Sequence, residues 1–235
     1  MKLITDWNCR LLPGFPDQAA RAEDAADALT VLWEDLGIKR FCFFPVFDPE
    51  TDSIPAFQIR ENRALKALQS LFHFPAVFLL SASVRLVPGL AEYRGLNRFL
   101  LPKTDYLPVA LPLSPDRTTE NTLADLARHA PFRLLVTNAH LLPVFYPEPL
   151  LERVSRLPGL AFQFSFQALA EPQTGHFRDL LLARRVPILA GSGVRSPEQA
   201  RRMVTEACFT SLQSRFSPSD LEKMLFGGQL YRKRA

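Results

Sequence analysis

Seven short apolar runs, separated by longer amphipathic segments, constrain the fold of this chain more than any other feature. They fall at residues 2–5, 40–44, 76–80, 106–110, 133–136, 160–164 and 187–190. Most are too continuously apolar to alternate, the pattern of parallel strands buried on both faces. The segments between them carry helix signals. Residues 17–36 place Ala and Leu at helical spacing and stop at Gly37, a favoured residue just past a helix end. Thr118 or Thr119 can cap a helix running to His129, Ser196-Pro197-Glu198-Gln199 is a capping box, and Ser217-Pro218 opens a helix that ends at Gly227. Strand and helix alternate as in βαβ units, so the fold class is α/β. About seven parallel strands in one chain fit a distorted (β/α) barrel better than an open sheet.

The 235 residues are read as one domain spanning 1–235, and an apolar fraction of 47% can fill its interior without disulfide staples. Cys9, Cys42 and Cys208 are odd in number and widely spaced, so neither a disulfide framework nor a zinc knuckle is expected; a reducing, cytoplasmic setting suits them. The net charge of +4 lies partly in Arg232, Lys233 and Arg234, and a basic tail alone does not make a nucleic-acid binder. No apolar run is long enough to span a bilayer and no signal peptide is evident, so no membrane insertion is expected. Residues 48–58 and 85–101 read as long loops or a small hairpin.

In α/β barrels the chemistry sits where strands end. The first strand runs into Asp6-Trp7-Asn8-Cys9-Arg10-Leu11-Leu12-Pro13-Gly14, with Pro16-Asp17-Gln18 beyond it. This frame resembles the PHP superfamily, and within it the CpsB/CapC-type manganese-dependent tyrosine phosphatases of bacterial capsule systems, whose first strand ends in D-x-H-C-H-x-L-P-G before an acidic turn. The resemblance recurs in order over residues 2 to about 205, leaving a C-terminal helix and the basic tail at 206–235. The family's T-P-H becomes Phe44-Pro45-Val46, and its G-x-E-[VI]-R becomes Ser81-Ala82-Ser83-Val84-Arg85. The glutamate of the fourth strand falls at Ala110, and S-D-A-H becomes Gly191-Ser192-Gly193-Val194. The A-H-P-E-R histidine falls at Asn138 or, two residues on, at His140, and the Q-x-x-x-x-S-L segment matches Gln163 to Leu169. The resemblance implies a bacterial, TIM-like barrel from a capsule or exopolysaccharide setting, with its metal site lost. The vestigial ligand positions are Asn8, Arg10, Val46, Ser83, Ala110, Asn138, Ser192 and Val194.

Hard divalent metals need carboxylates and imidazoles, and this set supplies almost none. Arg10 has no lone pair to donate and repels a cation. No cofactor, no metal and no catalytic residue is therefore expected. What the strand ends offer is cationic: Arg10, Arg85 and Arg195, with His140, are candidates for binding a phosphate-, sulfate- or carboxylate-bearing ligand or protein partner. The alternative for the arginines is pairing with Asp6, Asp48 or Glu92. Gly191 to Gly193 before the capped helix could cradle an anion or be a plain turn. Cys9 reads as buried, His73, His129 and His176 as surface or capping residues, and the dense phenylalanines from Phe41 to Phe78 as core or, in part, an exposed groove. Three functions follow: a catalytically inactive binding or regulatory protein, a hydrolase with an unorthodox site around Arg10, His140 and Ser192, and an interaction scaffold with a closed barrel mouth.

Overall fold

The computed structural model describes residues 4–19, 21–171, 175–206 and 208–230. Its strands are β1 (Thr5–Asp6), β2 (Arg40–Phe43), β3 (Val46–Phe47), β4 (Val77–Leu80), β5 (Ser83–Arg85), β6 (Tyr106–Ala110), β7 (Arg133–Val136), β8 (Leu160–Ser165) and β9 (Ile188–Gly191). The helices are α1 (Ala22–Glu34), α2 (Ile54–Leu71), α3 (Arg117–His129), α4 (Leu142–Phe145), α5 (Glu148–Val154), α6 (Phe166–Ala170), α7 (Gly175–Ala183), α8 (Pro197–Thr205), α9 (Cys208–Arg215) and α10 (Pro218–Phe226). Every strand ladder is parallel, in the orders β1-β2-β4 and β3-β5-β6-β7-β8-β9. The α/β class is as the sequence indicates, but the count and closure differ: the larger sheet has six strands, and no ladder joins it to the smaller one.

Proline explains part of the difference. The second apolar run ends with β2, and Pro45, which has no N–H to give to a ladder, separates it from a further strand, β3. The third run ends with β4, and Ser81 and Ala82 separate it from a further strand, β5. Single hydrogen bonds bridge these breaks, from Ser81 N to Phe43 O (3.2 Å) and from Ser83 N to Pro45 O (3.0 Å). Others lay the chain after β1 against β9: Trp7 N donates to Ala190 O (3.2 Å), Gly193 N to Asn8 O (3.0 Å) and Arg10 N to Val194 O (3.2 Å). Gly191 permits that approach, since a Cβ there would stand 2.6 Å from Asn8 N.

Strand parity divides the apolar side chains between two clusters. Phe41 and Phe43 pack outward with Leu68 and Phe72 under α2, while Cys42 and Phe44 face an inner cluster. That inner cluster takes Trp7, Tyr106, Leu135, Ala161 and Leu189 from successive strands, with Leu79 against it, so both sheets face one interior. The C-terminal segment seals its lower end. Leu230 is buried there, Trp7 Nε1 donates to Leu225 O (3.2 Å), and Gln229 Nε2 donates to Ile188 O (3.0 Å) at the start of β9. The C-terminal ends of the strands are left for a site.

Several boundaries move. The helix expected at 17–36 starts at Ala22, because residues 15–18 form a turn closed by Gln18 N to Phe15 O. The loop expected at 48–58 yields to α2 from Ile54, where the Ser53 hydroxyl accepts from Ala56 N and Pro55 occupies the first turn. Residues 85–101 hold two 3₁₀ turns entered through left-handed Gly89 and Gly95, with no hairpin. The single C-terminal helix is two, α9 and α10. Lys2 and Leu3 of the first run, and the basic residues Arg232, Lys233 and Arg234, lie outside the described residues. Phe41, Phe43, Phe44, Phe47, Phe57 and Phe72 are core, with Phe74 and Phe78 packed against them.

Candidate functional site

Three amides meet at the C-terminal end of the larger sheet. Asn8 Nδ2 donates to Gln163 Oε1 (2.9 Å) and to Asn138 Oδ1 (3.1 Å). The backbone fixes every amide orientation in this group. Asn138 N is an obligatory donor and points at Gln163 (2.9 Å), so Gln163 must present its oxygen. Asn8 must then present its NH₂ to that oxygen, and the same NH₂ requires Asn138 to present Oδ1. Gln163 Nε2 is consistent with this, donating to Phe164 O (2.7 Å). The Asn138 NH₂ is consequently turned away from the cluster. Asn138 itself sits in the left-handed region at φ 53°, which asparagine tolerates better than most residues and which turns the chain sharply after β7.

Asp6 lies fully buried behind this cluster. Its Oδ1 accepts from Ser192 N (2.7 Å) and Asn8 N (3.2 Å), tying the end of β1 to the turn after β9. Burial raises its carboxyl above the ordinary aspartate range, and the hydrogen bonds from Ser192 and Asn8 only partly offset this. The Ser192 hydroxyl accepts from Val194 N (3.2 Å).

A cavity of about 290 Å³ opens beside these groups, lined among others by Arg10, Asn138, His140, Ser165, Ser192 and Arg202. The Arg10 side chain is only 16% exposed and meets Asp17 through a single long contact, Nη2 to Oδ2 at 3.4 Å. Burial and then the neighbouring Arg195 pull its pKa down, against the opposing pull of Asp17. Ser165 N donates to His140 Nδ1 (3.4 Å), so Nδ1 is the acceptor and the proton is on Nε2. Burial, then Arg10, lower the pKa of His140 to about 4, so the imidazole is neutral at pH 7. A larger cavity, about 760 Å³ and mostly apolar, lies at the other end of β9 against α10, away from this polar cluster.

The cavity thus brings together Arg10, Asn138, His140, Ser192 and Val194. Both Asn138 and His140, the alternatives for one sequence position, line it. Ser83 is linked to the cluster at one remove: its hydroxyl bonds the Thr137 hydroxyl (2.7 Å), next to Asn138. Val46 and Ala110 lie in ladder register with Ser83 and Arg85 and do not line the cavity. Arg85 is not part of it either, because its exposed guanidinium is held by Asp48 at 2.6 Å. Arg195 is exposed beside the cavity and reaches Arg10 only through charge. Arg10 pairs with Asp17, not with Asp6 as one sequence alternative had it. His129 and His176 are exposed and pair with Asp125 and Glu148; Cys9, Cys42 and Cys208 are buried and free. Ser165, Arg202 and Glu206 are participants that sequence reasoning did not single out, while Asp6 and Asp17 were named only as an alternative partner for the arginines and as part of the turn after the first strand. Asp6 was visible in principle as the acid that ends the first strand.

The residues at the positions that the resemblance assigns to ligands do not fit a divalent metal. Amides, a guanidinium, hydroxyls and aliphatic groups replace the anionic and imidazole donors such ions need, and among the described residues no group of three or more His, Cys, Asp or Glu side chains could hold one.

Neither a protein-family model nor a curated protein sequence matches this chain. Solved structures do resemble it. One, from work on YwqE of Bacillus subtilis and CpsB of Streptococcus pneumoniae, described as unique metal-dependent tyrosine phosphatases, superposes with a TM-score of 0.63 at 18% identity over 89% of this chain and 94% of that one. The chain therefore shares the α/β fold of that structure. The likeness is one of fold. A β-aspartyl dipeptidase from Fervidobacterium islandicum AW-1 gives a TM-score of 0.51 at 10% identity, over 98% of this chain and 74% of that one.

Proposed function

We propose that this chain is a non-catalytic binding protein built on a PHP-like barrel of seven strands, two of them interrupted, whose mouth takes an oxyanion. The observation that carries this reading is the convergence of donors on one cavity. Arg10 supplies the charge, the outward NH₂ of Asn138 and the Nε2–H of His140 add neutral donors, and the Ser165 hydroxyl stands beside them. Donors held by a fixed hydrogen-bond framework suit a phosphate, sulfate or carboxylate group. The inner cluster shared by both sheets, and the bonds joining the end of β1 to the end of β9, support the barrel reading.

The hydrolase reading draws less support. Ser192 accepts from Val194 N and lies against Asp6, while His140 is turned to Ser165. The test is to purify the protein with manganese present, measure bound metal, and assay a phosphotyrosine peptide. The expected result is substoichiometric metal and no turnover, with phosphate or sulfate raising the melting temperature. Stoichiometric metal together with turnover contradicts the proposal.

A further inference from the structure

The charges around the cavity nearly cancel. Arg202 is taken by Glu206, Nε to Oε1 at 2.5 Å. Arg10 is shared with Asp17 at 3.4 Å, and Asp17 cannot easily swing away because its Oδ2 also accepts from Gln18 Nε2 at 2.8 Å. Gln18 is itself buried. His140 contributes a donor but no charge, since Ser165 N occupies Nδ1. The exposed Arg195 is the one positive charge near Arg10 without a carboxylate on it among the described residues. Asp6 lies buried behind Ser192 and does not line the cavity, so the lining and rim carry about one uncompensated positive charge.

We infer that Asp17 sets the charge of the oxyanion this site accepts, holding half of Arg10 so that singly charged groups bind in preference to doubly charged ones. This rests on the proposed oxyanion site. A carboxylate or a sulfate monoester brings one charge, which the single excess cation balances. A free sulfate brings two, and the second faces the Asp17 carboxylate across Arg10. Like charges at such range in a partly buried site repel strongly. Asp17 is thus a specificity residue that acts through Arg10.

The pair that isolates charge from shape is methyl sulfate and sulfate, both tetrahedral at sulfur and neither titrating near pH 7. Calorimetry at fixed low ionic strength with chelator present, on the wild-type protein, Asp17→Asn, Arg10→Lys and Arg10→Ala, reads the effect. Asn at position 17 keeps an oxygen for Gln18 Nε2, and a melting curve for each variant reports folding. Wild type is expected to bind methyl sulfate and acetate at least about fivefold tighter than sulfate, and Asp17→Asn to improve sulfate about tenfold and erase the preference. Arg10→Ala should abolish binding of all three, and Arg10→Lys should weaken it while leaving the order intact. Tighter binding of sulfate than of methyl sulfate by wild type, an unchanged ratio in Asp17→Asn, or failure of acetate to bind overturns the role of Asp17 while leaving an Arg10-dependent site. Binding of none of the anions to wild type overturns the underlying proposal instead.

Discussion

At the scale of single residues, the strand-end cluster is held by hydrogen bonds whose polarity is set by the backbone. Asn8 can serve only because it donates twice. Asn8→Asp replaces that NH₂ with an oxygen facing Gln163 Oε1 and Asn138 Oδ1, leaving acceptors opposed to acceptors. The variant is expected to lose about 1–3 kcal/mol in chemical denaturation at pH 7, the cost of an unsatisfied buried group. His140 gives a pH prediction. Its folded pKa of about 4 lies below the ordinary 6.5, so between these values the unfolded chain binds a proton that the folded chain refuses. Stability contributed by this residue is full above pH 6.5 and falls as pH drops toward 4. NMR titration of the imidazole should report the Nε2–H tautomer and an apparent pKa near 4; a value near 6.5 would place the ring in solvent. Much at this scale was legible in the sequence, because a strand end fixes where its side chains go. Arg10, Asn138, His140 and Ser192 line one cavity, and Asn8 bonds to Asn138 at its side. Arg85 does not join them, because an ion pair with Asp48 across a loop depends on a loop conformation that no local pattern encodes.

At the scale of elements, α2 carries the least expected feature. Glu61 lies on its buried face with Phe57, Ala64 and Leu68, and its Oε1 has no hydrogen-bond partner. Desolvation alone raises its pKa to about 7. The folded value stands above the ordinary 4.5, so the folded protein holds a proton that the unfolded chain releases. The stability contributed by Glu61 is then greatest below about pH 4.5 and declines as pH rises toward 7, by an amount on the order of 3 kcal/mol. Glu61→Gln should remove this decline and raise the melting temperature at pH 8; a variant less stable than wild type at that pH would show that Glu61 has a partner worth more than its burial costs. The sequence marked α1, α3, α8 and α10 by their ends and α7 at His176, but missed the start of α2, the helix α9 and the short helices α4 to α6. Pro55 can open a helix as readily as it can keep a loop, and short helices carry too few turns for periodicity to register.

At the scale of the molecule, an α/β fold like that of a metal-dependent phosphatase structure carries amides, hydroxyls and one arginine at the ends of its strands. The parallel α/β class was readable from seven apolar runs. The division into two sheets was not, since ladder breaks at Pro45 and at residues 81–82 depend on the path the strands take around the inner cluster. The polar residues at the strand ends are legible in the sequence, but the network that joins them is not, because Asn138 and Gln163 reach Asn8 across the fold. The central claim is that Arg10 binds an oxyanion here without metal. Its most direct test is calorimetric titration of chelator-treated protein with methyl sulfate, comparing wild type with Arg10→Ala at low and high salt. The account predicts saturable binding that weakens with salt and disappears in Arg10→Ala, a charge-assisted contact contributing about 1.5–3 kcal/mol. Absence of binding until manganese is restored, or equal binding by Arg10→Ala, would contradict it.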